Sequence, residues 1–244
     1  MTDNSEEPSG NNFFINWDNR LALMKTWLEI GHPFPDQDSF HDSIWNIWIE
    51  RIETGQTREE NQIQKSYQSS KEQEGQYNDP SFDPDGWASD DYWQTCRLTD
   101  SMYAALVVSI YAKMESFLKS IYSTICIEAD GNNKENKNTY SFKKLKKKLA
   151  DDLSFKIEDC EAADTYNAAR ILNVSYKHFD GQYRPTDIPY TNIQKNILSK
   201  WNFLKEQNEI DYSKLPIQDI ILDCNRFCND LLQKTEAALK CKTE

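Results

Sequence analysis

The sequence predicts an all-α protein. Seven glycines and eight prolines in 244 residues leave long stretches without a chain breaker. Within them apolar residues recur every three or four positions, the period of one helix face. No stretch alternates apolar and polar residues as a half-buried strand would. The mean hydropathy of -0.80 implies that part of the chain stays outside any core.

Residues 1–12 read as a polar tail. Trp17, Leu21, Met24 and Leu28 follow at spacings of four, three and four, and Gly31 and Pro33 close that helix. A second helix carries Phe40, Ile44, Ile47, Trp48 and Ile52, with Gly55 at its end. Residues 56–96 are rich in Gln, Ser and Glu and lack a period, which predicts a polar linker or insertion. Thr99 suits an N-cap for the strongest helix, on which Tyr103, Val107, Ile110, Met114, Phe117, Ile121 and Ile125 form a stripe. That helix is apolar on more than one side, so it should be central.

Beyond a polar loop, "SFKKLKKKLADDL" places Phe142, Leu145, Leu149 and Leu153 on one face and five lysines on the others. A helix over 158–180 ends at Gly181, which suits a C′ position with positive φ. Ile193, Ile197, Trp201 and Leu204 mark a further helix. Pro216 fits N1 of a last one, which buries Ile220, Cys224, Phe227 and Leu231. "NEIDYSKLPI" could hold a short extended piece. The organisation expected is a helical extension with its tail over 1–55, the linker over 56–96 and a helical bundle over 97–244.

A net charge of -12 argues against a general nucleic-acid coat protein, so any RNA contact must come from a local basic patch. The polar, acidic start and the lack of an 18-residue apolar run predict no leader and no membrane span. Cys96, Cys126, Cys160, Cys224, Cys228 and Cys241 are scattered, as reduced cytoplasmic thiols would be. The pair Cys224 and Cys228 reads as packed thiols. His32 and His41, nine apart near Asp36, Asp38 and Asp42, match no recognised ligand spacing, and no metal or cofactor is expected. Trp45, Trp48, Trp87 and Trp93 read as core or interface aromatics.

The stretch "ARILNVSYKHFDG" concentrates chemistry at a helix end. Arg170 and Asn173 are three apart, Asn173 and Lys177 four, so they share one face. His178 lies about 100° round from Lys177. A guanidinium can neutralise a phosphate, an imidazole can move a proton near neutral pH, and an amide can orient either. The alternative is a solvated helix end whose Lys177 and His178 only complement the helix dipole.

A long apolar helix with a central acid, "VVSIYAKMESFLKSIY", followed by a helix ending Arg-x-x-Asn-x-x-x-Lys-His, resembles the HEPN superfamily over about residues 97–240. The resemblance implies a compact helical bundle that forms homodimers. It implies a composite, metal-independent ribonuclease site and a bacterial toxin or anti-phage role, with an antitoxin or other protein partner. Carried over, His178 is the histidine and Asn173 the polar residue. The departure is at the arginine: Leu172 holds the nearest equivalent position, and Arg170 would serve instead. Glu115 would support Arg170. Lys143, Lys144, Lys146, Lys147 and Lys148 would guide the RNA backbone, or else form a solvated face. The rival reading is a catalytically silent HEPN-like binding module, favoured by Leu172 and the acidic charge.

Overall fold

The computed structural model describes residues 34–74, 82–129, 140–179, 181 and 209–241. The helices expected around 17–28 and 191–204 lie outside these. The described residues fold into five α-helices: α1 (Ile44–Glu74), α2 (Pro84–Ala129), α3 (Phe142–Leu153), α4 (Ala163–Phe179) and α5 (Ile217–Cys241). Short 3-10 turns stand at Phe40–Asp42, Ile157–Asp159 and Tyr212–Lys214. Among the described residues there is no β-strand, and no helix is long and apolar enough to cross a membrane.

α2 is the organising element. It packs against each of the other four helices. Its stripe from Tyr103 through Val107, Ile110, Met114, Phe117 and Ile121 to Ile125 is buried throughout, as expected. α3 adds Leu145, Leu149 and Leu153, and α5 adds Ile220, Cys224, Phe227 and Leu231. The six cysteines are free thiols. Burial pushes the Cys160 thiol up to about 11, so it stays protonated at neutral pH.

The stretch expected as a linker is helical at its described residues, save Phe82 and Asp83. α1 runs through Gly55 to Glu74, and α2 begins at Pro84, so residue 97 falls inside a continuous helix. Gly55 ends nothing: it costs about 1 kcal/mol against alanine, a price a 31-residue helix absorbs. Side chains one turn apart support it. Gln56 Nε2 donates to Glu60 at 2.9 Å, and Thr57 Oγ1 donates to the Glu53 carbonyl at 3.0 Å. Thr99 is no N-cap but a buried residue mid-helix. The cap is Asp83, whose carboxylate accepts the Gly86 N–H at 2.9 Å, with Pro84 at the first helical position.

α1 and α2 run antiparallel. Lys71 Nζ and Tyr67 Oη both reach the Asp85 carboxylate, at 2.7 and 2.8 Å, and Tyr103 lies beside Glu53. The outer part of this hairpin is mostly exposed. Of the four tryptophans expected in core or interface, Trp45 is core, and Trp48, Trp87 and Trp93 are 41%, 50% and 64% exposed.

α4 starts five residues later than expected. A 3-10 turn and Ala162, at φ 53°, redirect the chain before it. Ser141 caps α3 by accepting the Lys144 N–H at 3.2 Å. Gly181 has φ 79° as predicted; its N–H donates to the Ser175 carbonyl at 3.1 Å. Its own carbonyl accepts the Ile210 N–H at 3.0 Å, in the segment expected to be extended. Pro216 sits one residue before its expected place, as the N-cap of α5; its carbonyl accepts the Ile220 N–H at 3.0 Å.

Candidate functional site

The helix α4 presents a polar stripe to the interior. Tyr166, Arg170, Asn173 and Lys177 recur at four, three and four residues, so they lie along one line of the helix. The stripe runs from a buried end to an exposed one, with the half-buried Arg170 between two buried residues. Tyr166 is 1% exposed, Arg170 is half-buried, Asn173 is 5% exposed, and Lys177 and His178 are exposed.

At the inner end, Tyr166 is held by aromatic rings from three helices. It stacks on Phe227 of α5 at 5.2 Å and on Tyr111 of α2 at 6.2 Å, and tilts against Phe142 of α3 at 5.1 Å. Burial pushes its phenol far above the ordinary tyrosine range. The Arg170 charge acts the other way on both Tyr166 and Tyr111, and the two phenols act on each other.

Two side chains on the stripe hold a buried polar atom with no hydrogen-bond partner, Arg170 Nε and Asn173 Oδ1, while Tyr166 Oη lies against the Tyr111 phenol and each acts on the other's proton. Ser175 Oγ is a further such atom, on another side of the helix. Most buried polar groups in folded proteins are paired, and an exception asks for an explanation. Here two of the exceptions, Arg170 and Asn173, lie on one line of the helix.

Glu115 lies near this stripe but does not hold Arg170. Its carboxylate pairs with Lys119, one turn on, at 3.6 Å. The Tyr111 phenol is raised by burial and by Glu115, and lowered by its hydrogen bond with Tyr166 and by the Arg170 charge. Glu115 and Arg170 thus act on one phenol without an ion pair between them.

Lys146 pairs with Glu158, and Lys148 with Asp152 at 3.4 Å. Lys143, Lys144 and Lys147 are exposed. The helix that carries them reaches the stripe through the Phe142–Tyr166 contact.

Leu172 is fully buried, about 200° round the helix from Arg170. Its carbonyl accepts a hydrogen bond from the buried Tyr212 Oη at 2.9 Å, which fixes the middle of α4 against the Tyr212–Lys214 turn. His41 is exposed, His32 lies outside the described residues, and among the described residues no group of three His, Cys, Asp or Glu side chains could hold a metal.

Tyr166 and Tyr111 were not singled out from the sequence. Tyr166 was within reach, because it extends the spacing of Arg170 and Asn173 one turn upstream. Tyr111 carries no such signal, since its place depends on how α2 packs on α4. No family model, curated protein or solved structure matches the chain.

Proposed function

We propose that the α4 stripe is the site of a metal-independent endoribonuclease of HEPN type. In this reading the chain works as a homodimer, in a bacterial toxin or anti-phage setting, with an antitoxin or similar protein as its partner. The observation that carries it is the adjacency of Arg170 Nε and Asn173 Oδ1, both buried and unpartnered on one helical line. A guanidinium donor beside an amide acceptor is completed by a ligand that brings an anionic oxygen and a hydroxyl together. An RNA phosphodiester with its neighbouring 2′-hydroxyl is such a ligand.

The chemistry is an internal displacement. The 2′-oxygen forms a bond to phosphorus as the bond from phosphorus to the 5′-oxygen breaks. His178 takes the hydroxyl proton, and a proton returns to the departing oxygen. Arg170 stabilises the charge that builds on the phosphoryl oxygens, Lys177 adds to the field, and Asn173 orients the hydroxyl. Lys143, Lys144 and Lys147 attract the backbone toward the stripe.

A second reading is favoured by Leu172, fully buried where the resemblance places its arginine, and by the depth of Asn173. In that reading the domain binds a partner and cleaves nothing. One experiment separates the two: the purified chain incubated with total RNA in EDTA, beside His178→Ala. Cleavage by the wild type alone supports the nuclease. Equal cleavage by both moves the chemistry away from His178. No cleavage by a demonstrated dimer leaves the binding module.

A further inference from the structure

The hairpin of α1 and α2 has one open apolar side. Ile44 and Trp48 of α1 are 64% and 41% exposed, and Leu98 and Met102 of α2 are 60% and 42% exposed. These four side chains stand on the same side. A groove between the helices is lined by Glu59, Gln62 and Ser66 of α1 and by Asp91, Thr95 and Leu98 of α2. Ile44 precedes Gln62, and Trp48 precedes Ser66, by 18 residues, or five full turns. Met102 follows Leu98 by one turn. The groove therefore continues toward the base of the hairpin as an apolar strip.

We propose that residues 17–28 of this chain dock along that strip as a third helix. Residues 1–33 lie outside the described ones, and the chain enters the described fold at Phe34. Phe34 is buried, stacks on Trp45 at 5.8 Å, and its carbonyl accepts the Asn225 amide at 2.6 Å. Trp45 in turn meets Trp48 edge-on at 6.4 Å. The chain thus enters beside the lower end of the strip, and five residues, or six Cα–Cα steps, separate Leu28 from Phe34. Such a connection spans up to about 20 Å.

The dimensions and charges agree. From the level of Ile44 to that of Leu98, which lines the groove with Glu59, the strip covers about 22 Å of helix rise. Residues 17–28 as a helix cover about 17 Å. Trp17, Leu21, Met24 and Leu28 give the segment one apolar line of matching length, flanked by Arg20 and Lys25. The groove offers the carboxylates of Glu59 and Asp91. The segment runs antiparallel to α1, with Leu28 near Trp48 and Trp17 near Leu98.

Hydrogen exchange on the full chain tests this. Amides of 17–28 should exchange at least roughly tenfold slower than an unstructured peptide of the same sequence, at any protein concentration. Leu98→Asp and Met102→Asp alter exposed positions and should each abolish that protection while leaving α5 protected. Leu21→Asp, on the segment itself, should do the same. Unprotected amides in the wild type overturn the proposal, as does protection that survives all three substitutions. Protection that rises with protein concentration also overturns it, because a second copy then covers the strip.

Discussion

The outer hairpin and the bundle are built from the same helix, and they are stabilised in different ways. From Tyr103 to Ile125, α2 is surrounded by apolar side chains from α3, α4 and α5. From Pro84 to Leu98 it faces α1, with Tyr92 near Glu60 and Asp85 paired with Lys71. One half is held by burial. The other is held by caps, by side chains one turn apart, and by continuity with the half that is buried.

The contrast breaks most sharply at Phe117. It is 1% exposed, and Phe117→Ala should lower stability by about 3–5 kcal/mol, read from denaturant unfolding. Arg170→Ala tests the stripe. Loss of one donor to the transition state costs about 2.7–4 kcal/mol, so RNA cleavage should fall roughly a hundred- to a thousand-fold with the melting temperature unchanged. A parallel fall in both would make Arg170 a packing residue.

Asp230 should come next. Its carboxylate accepts the Glu161 N–H at 2.8 Å and Lys234 Nζ at 2.7 Å, tying the turn before α4 to α5. Asp230→Ala should cost about 1–2 kcal/mol at neutral pH, after allowing for its partial exposure. Burial works to raise the Asp230 pKa, but Lys234 and the Glu161 N–H outweigh it and hold the carboxyl below the ordinary value. A carboxyl depressed in the folded state stabilises above its unfolded pKa of about 3.9 and loses that contribution as pH falls through the folded value. The gap in melting temperature between wild type and variant should therefore close in acid. The smallest effect belongs to the hairpin. Lys71→Ala removes an exposed pair with Asp85 and should leave the melting temperature essentially unchanged.

These differences decide what the sequence could reveal. The α2 stripe from Tyr103 to Ile125 was legible because burial imposes a period. The hairpin was not, because Gln56, Glu60 and Thr57 support a helix without any apolar repeat. Its start could still have been found, since "FDPDG" holds a cap, a proline at the first position and an acid in the first turn. At the site, spacing alone grouped Arg170, Asn173 and Lys177. It could not show that Glu115 pairs with Lys119, nor that Leu172 turns to the core. Both depend on which face of each helix the others cover.

A last consequence concerns mechanics. At 46 residues α2 is a rod of about 69 Å, with no proline or glycine after Gly86 to bend it. It has no hinge between the Trp87 end, which stands in solvent, and the Glu115 region beside the α4 stripe. A force that tilts the outer end is therefore delivered to Tyr111 and its neighbours as a rotation of the whole rod. Leverage favours the outer end: a small load there works against tightly packed side chains at the other.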